Sequence, residues 1–398
     1  DGSKQGPIVG DGTDKFESGG TLIKKESNDG VVAWMLDDLR DDDKYILIHA
    51  GKFSQSNDAS RYGRFMPFTE AQKLDVNSGS RTTLAKIPFS SADFTTDNSG
   101  EVRFATGSND DNFVKTYYRK DRKSKWVLIN DEKESGIVVS PVGFDKGNTV
   151  AYLEYQEASG PNSLYTYDTN TASKALVVRD NNASPGGYLF SPVDKSLFGV
   201  LFYDGYPRVH YVDPKNTAAL ALKTVSATFK DNFVVPVTYS TDGNMGLYFV
   251  TGDNMPGEYY LYDQAAKKLK YIAGKNSWFK PEQLARTDVY EVVARDGLKL
   301  EAFVTSPVGS NGKNLPLVVM PHGGPHHRAT GGGGFDTQIF ATRGYAVFQP
   351  NFRGSTGYGL KFLDADRNDF GGGDMKDILT GIDFLVKEGI ADRDRQFV

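Results

Sequence analysis

A chain of 398 residues is too long for one ordinary domain and carries ample material for two or three. A net charge of −5 gives no electrostatic case for nucleic acid, and no apolar run approaches the ~20 residues of a membrane span. The absence of cysteine excludes disulfides, thiolate metal sites and a cysteine nucleophile, while 43 glycines with 21 tyrosines and 25 phenylalanines favour a large β component.

The N-terminus, Asp1-Gly-Ser-Lys-Gln-Gly, does not read as a signal peptide. Residues 1–30 are expected to supply part of a β-unit. From residue 31 to about 280, short β-type runs repeat one pattern of strand, polar turn and strand. An aspartate enters the turn at Asp75, Asp121, Asp168, Asp213 and Asp263, at separations of 46, 47, 45 and 50 residues. That period suits four-stranded propeller blades of roughly 40–50 residues. A β-sandwich or solenoid with coincident Asp-turns is the alternative. Alternation in Leu164-Tyr-Thr-Tyr167 and Leu247-Tyr-Phe-Val250 fits strands packed on neighbouring sheets. Five blades are countable, and seven are expected in the parent protein. The acidic run Asp37–Asp43 reads as a solvated loop, with a cation or substrate amine as the competing reading.

Beyond Ala285 the grammar changes. Val289–Ala294 and Leu298–Val304 flank Asp296-Gly297, a signal for a type I′ hairpin. Leu317–Met320 is a short apolar run, as expected for a parallel strand covered on both faces. Phe335–Arg343 is predicted helical and Tyr345–Phe348 extended. Asp374–Glu388 is the clearest helix, with Asp374 as N-cap and Gly389 as the residue past its end; a strand is expected to open at Gln396. The whole is a β-propeller over 1–285 followed by the N-terminal part of an α/β domain over 286–398.

The candidate chemistry lies in the second part. His322-Gly323-Gly324-Pro325 follows the buried strand, and backbone N–H groups of a Gly-Gly turn can face the oxyanion of acyl transfer. An ordinary glycine turn is the bland alternative. A zinc site at His322, His326 and His327 is disfavoured, because Gly323-Gly324-Pro325 blocks the helical i, i+4 geometry. Ser355 lacks the glycine two residues before the serine of a Gly-x-Ser nucleophile elbow, since Arg353 stands there, and is rejected as nucleophile. Ala329-Thr-Gly-Gly-Gly-Gly-Phe335 could mimic a phosphate cradle, but no Lys-Ser/Thr follows.

Together, Pro321-His-Gly-Gly-Pro-His-His-Arg328, Arg343-Gly-Tyr-Ala-Val-Phe348, Asn351-Phe-Arg-Gly-Ser-Thr-Gly-Tyr-Gly359, Gly372-Gly-Asp-Met-Lys-Asp377 and Ile390-Ala-Asp-Arg-Asp-Arg395 resemble the prolyl oligopeptidase family of serine peptidases. The acylaminoacyl-peptidase and dipeptidyl-peptidase-like branches are nearest. The resemblance implies a propeller capping an α/β-hydrolase and short peptides cleaved through an acyl-enzyme. An esterase-type hydrolase and a non-catalytic propeller that binds peptides or proteins are the competing readings. It implies no cofactor and no metal, and it leaves a homo-oligomer, the compartment (cytoplasm or periplasm) and the peptide specificity open. By resemblance, His322, Gly323 and Gly324 are the oxyanion-hole candidates. Arg353 is the substrate-contact candidate, with an ion pair to Asp374 or Asp377 as its alternative. The strand at Gln396 would lead into a Gly-x-Ser-Tyr-Gly-Gly elbow, so nucleophile, acid and base are expected beyond Val398 and residues 1–398 alone are expected to be inactive.

Overall fold

The computed structural model describes residues 9, 31–52, 68–108, 111–324, 326–331 and 334–398. The expectation that residues 1–30 add to a β-unit lies, Val9 apart, outside them. The chain packs as two compact units, residues 1–155 with 165–175, and residues 156–164 with 176–398.

The first unit contains two antiparallel meanders, each in chain order: β1 (Val31–Asp37), β2 (Tyr45–Lys52), β3 (Thr69–Asp75) and β4 (Arg81–Lys86), then β5 (Ser90–Thr96), β6 (Val102–Ser108), β7 (Val114–Tyr118) and β8 (Val127–Asp131). A short helix, α1 (Glu132–Ser135), leads to a third four-stranded sheet of β9 (Val138–Phe144), β10 (Val150–Gln156), β11 (Ser163–Asp168) and β12 (Lys174–Arg179). Phe104, Phe144 and Leu153 are fully buried at the core between sheets.

The repeating aspartates are explained locally. Asp75 Oδ1 accepts from the amides of Asn77 and Ser78, and Asp168 Oδ1 from those of Asn170 and Thr171. Asp121 binds the amides of Lys123 and Ser124, Asp213 that of Lys215, and Asp263 that of Ala266. Each side chain thus substitutes for a backbone acceptor at the exit of a sheet's third strand. The acidic run is spent in a similar way: Asp37 binds the Leu39 amide and Thr96 Oγ1, and Asp42 the amides of Lys44 and Tyr45.

The second unit opens with β13 (Pro185–Phe190), β14 (Leu197–Asp204) and β15 (Tyr206–Tyr211), a three-stranded sheet. Where the repeat predicts a fourth strand, the chain forms α2 (Thr217–Thr228) instead. Pro214 interrupts a ladder, Asn216 caps the Ala218 amide, and Ala218, Ala219, Ala221, Leu222 and Val225 line one buried face. A further meander follows: β16 (Phe233–Tyr239), β17 (Met245–Gly252), β18 (Met255–Asp263) and β19 (Lys268–Gly274).

The rest is an α/β layer. β20 (Thr287–Val293), β21 (Lys299–Thr305), β22 (Leu315–Val319), β23 (Ala346–Pro350) and β24 (Ala391–Phe397) form a sheet in the order β20-β21-β23-β22-β24. β22 runs parallel to β23 and β24, while β20–β21 and β21–β23 are antiparallel. The crossovers carry α3 (Phe335–Ala341), then α4 (Leu360–Leu363) and α5 (Gly373–Lys387). Leu317, Val319, Ala346 and Phe348 of the strands pack with Ile378 and Leu385 of α5.

Three boundaries differ from the sequence reading. In the β20–β21 hairpin only Gly297 has positive φ, whereas type I′ needs two such residues; the loop is Arg295-Asp296-Gly297, closed by Ala294 N–H to Leu298 O at 2.8 Å. Helix α5 begins at Gly373 with Gly372 at the cap position, and Asp374 sits inside the first turn. β24 starts at Ala391 rather than Gln396, because pairing with β22 draws in a charged stretch that alternation alone marks as loop. Gly389 does end α5: at φ +73° it lets Gly389 N–H reach Val386 O and Ile390 N–H reach Leu385 O. No helix among the described residues is long and apolar enough to cross a membrane.

Candidate active site

The chain order reverses at β22, which lies between β23 and β24. Crevices outside the carboxyl ends of strands at such a reversal are where open α/β sheets bind ligands. The turn His322-Gly323-Gly324 starts three residues after β22 ends at Val319. A Cβ on Gly323 would meet nothing within 4 Å among the described residues, so that side is open to them. Gly324 sits at φ +129°, where a Cβ would press on the His326 amide nitrogen at 2.8 Å.

The segment after β23 clamps this turn. Ala329 N–H donates to Asn351 Oδ1 at 2.7 Å, and Asn351 Nδ2 returns a bond to Ala329 O at 3.0 Å. Thr356 N–H donates to His327 O at 2.8 Å. Arg328 Nη2 donates to Tyr358 Oη at 3.0 Å, to Glu301 Oε2 at 2.9 Å and to Tyr203 O at 2.7 Å. Glu301 also accepts from Tyr358 Oη at 2.5 Å and from the Gly205 amide at 2.6 Å. Burial, reinforced by that carboxylate, pushes the Tyr358 phenol well above its ordinary range, so it stays a donor.

His322 meets Ser355 here. Its Nε2 lies 2.8 Å from Ser355 Oγ, and its ring stacks on Phe352 at 4.5 Å. Ser355 is fully buried, and its hydroxyl donates to the Phe352 carbonyl at 2.6 Å. The hydroxyl thus bridges the His322 ring and the Phe352 carbonyl. Nδ1 rests 3.0 Å from the Gly323 carbonyl rather than on a carboxylate. Burial pushes the imidazole below its usual value. The pair therefore lacks the features of a nucleophile with its base: the oxygen is buried, it is also bonded to the Phe352 carbonyl, and the ring has no acidic orienter. What it does is hold the turn.

Arg353 is engaged twice. Its Nε and Nη2 donate to Asp377 at 2.8 Å each, and the Arg353 amide adds a third bond to Asp377 at 3.0 Å. Nη1 and Nη2 reach Asp296 at 2.9 and 3.2 Å. These contacts use four of the five guanidinium protons. Hydrogen bonding to Asp377 first, and to Asp296, raises the Arg353 pKa further, and Arg353 holds the Asp296 carboxyl below the usual carboxylate range. Of the two anticipated partners, Asp377 is the one found; Asp374 instead binds the amides of Gly371 and Met375. Glu301, Asn351 and Tyr358 are not marked individually by the sequence, and Asp296 is marked there only as a turn residue. The only available signal for Asn351 and Tyr358 was their place within the Asn351–Gly359 motif.

The model of the prolyl oligopeptidase family matches residues 333–398. Dipeptidyl aminopeptidase BIII of Pseudoxanthomonas mexicana is 27% identical over 331 residues, covering 81% of this chain and 48% of that protein. Dipeptidyl peptidase family member 6 of Caenorhabditis elegans is 24% identical over 328 residues, covering 75% and 44%. The chain thus spans about half the length of these curated relatives. Among solved structures, a puromycin hydrolase aligns with a TM-score of 0.65 at 17% identity over 92% of this chain and 57% of its own. That likeness establishes the fold: β-propeller blades followed by the front part of an α/β-hydrolase. Residues 333–398 match the model of the prolyl oligopeptidase family, and the clamping segment Asn351–Gly359 lies within that match.

Proposed function

We propose that the complete protein is a serine-type exo- or oligopeptidase that cleaves short peptides through an acyl-enzyme. In this proposal residues 1–285 form the propeller portion and residues 286–398 the front of the hydrolase domain. The observation that carries the reading is the Gly323–Gly324 turn, open on one side, at the carboxyl end of β22 where the strand order reverses. The named dipeptidyl peptidases support peptides as the substrate class.

The amides of Gly323 and Gly324 are the proposed oxyanion donors. The His322 ring is held between Ser355 and Phe352, so its contribution is to fix the turn. Arg353 is proposed to hold the clamp, with one Nη1 proton left for a substrate carbonyl. Nucleophile, acid and base are assigned to no residue among 1–398, and these residues by themselves are proposed to be inactive.

The test is labelling of the complete protein with a fluorophosphonate, paired with assays on aminoacyl-anilides and p-nitrophenyl acetate. Labelling with anilide cleavage supports the peptidase. Labelling with acetate cleavage alone makes it an esterase. No labelling, with peptides still bound, leaves a binding module. In the active protein His322→Ala should lower kcat by about tenfold with little change in KM, short of the ~10²-fold or more for losing an oxyanion donor outright.

A further inference from the structure

The bonds joining residues 322–329 to residues 351–358 are closed, but one side chain of the turn stops short of its neighbour. His326 Nε2 lies 3.4 Å from Asp366 Oδ2, in the 3₁₀ turn Asp364–Asp366, with the two side chains 50% and 2% exposed. Asp366 Oδ2 is buried and has no hydrogen-bond partner among the described residues. A buried acceptor left in that condition costs about 1–3 kcal/mol, so its retention calls for an explanation. The same oxygen lies against Gly354, where an added Cβ would overlap it, and Gly354 is held at φ +90°. One carboxylate therefore touches both halves of the site: Gly354, next to the serine that holds His322, and His326, two residues beyond Gly324.

We propose that Asp366 is a positioning residue for the Gly323–Gly324 turn, acting through His326. The proposal rests on the acyl-transfer reading above. A charge-assisted N–H···O bond closes at roughly 2.8 Å, so completing this one moves His326 by about 0.6 Å. That displacement is comparable to the ~0.5 Å within which a catalytic constellation has to be held. The bond is thus an adjustable tie on an otherwise fixed turn.

The complete protein is compared with Asp366→Asn, His326→Ala and the double variant. His326 is half exposed, so its replacement leaves folding intact even where Asp366→Asn does not. Each single variant should lower kcat on an aminoacyl-anilide by roughly tenfold, below the ~10²-fold cost of a full ångström of misplacement, with KM within about twofold. The double variant should fall no further, because the residues act as one unit. Amide hydrogen exchange across 321–331 should quicken in all three while the unfolding midpoint of His326→Ala is unchanged. Unchanged kcat, or single effects that multiply in the double variant, would overturn the proposal. If the unaltered protein takes no fluorophosphonate and cleaves no substrate, the acyl-transfer reading fails, and exchange over 321–331 still decides the positioning. Unchanged exchange in every variant refutes the positioning whatever the activity.

Discussion

Replacing Asp377 by asparagine separates two carboxylates that share one guanidinium but differ in solvation. The Asp377 side chain is 1% exposed and accepts three hydrogen bonds from Arg353, at 2.8, 2.8 and 3.0 Å. Asp296 accepts two from the same group but is 56% exposed. Water screens the outer pair, so Asp296→Asn should cost about 0.5 kcal/mol. Breaking a buried pair strands a desolvated charge and costs about 3–5 kcal/mol. Asp296 still holds one edge of Arg353, which places Asp377→Asn near the lower end, at about 3 kcal/mol. Urea unfolding followed by the helical circular dichroism band reads the second unit, which holds α2, α3 and α5. With a slope of roughly 2–3 kcal/mol/M, the midpoint should drop by about 1 M or more for Asp377→Asn and by less than about 0.3 M for Asp296→Asn. Equal shifts in the two variants would refute the argument that desolvation sets the difference. Arg353→Met combined with Asp377→Leu should recover part of the loss, since no buried charge is then left alone.

Ser355→Ala should loosen His322 and cost about 1–2 kcal/mol, yet leave fluorophosphonate labelling of the complete protein intact; loss of labelling would make Ser355 the nucleophile. Gly359→Ala should destabilise by more than about 3 kcal/mol, because its φ is +91° and a Cβ would overlap the Gly160 carbonyl. Gly389→Ala, at φ +73° with nothing within 4 Å, should cost only about 1 kcal/mol; similar unfolding midpoints for the two would contradict the overlap. The Asp296 contribution should depend on pH in one direction. Its folded pKa is held below the ordinary 3.8 by Arg353, so the stability it adds is complete above that value and lost as pH falls through the folded pKa. The difference between the unaltered protein and Asp296→Asn should therefore be constant at neutral pH and shrink below about pH 4. A difference that grows on acidification would reverse the assignment.

Much of the fold was legible because its signals are local. An aspartate that caps the amides two and three residues ahead carries its own turn, so Asp75 and Asp168 announce a strand exit without knowledge of the neighbouring sheet. The apolar stripe of α5 and Gly389 at its end are equally local. α2 was missed because the repeat set the expectation there, although Asn216 and the alanine-rich run after it spell a capped helix. β24 began five residues early because pairing with β22, not alternation, extends it.

The site divides in the same way. By itself the sequence determined that β-repeats precede an α/β layer, the glycine turn after β22 and the motif that clamps it, since each is written in local patterns of the chain. Only the tertiary structure decided what those residues do to one another. Arg353 takes Asp296, 57 positions away, and Asp377, 24 positions away, while Ser355 receives the His322 ring across 33. Such pairings depend on which side chains the sheet and its crossovers bring together and on how much water is excluded there. Neither quantity is a property of any short stretch of chain, and both set whether Ser355 can react or can only hold its neighbour in place.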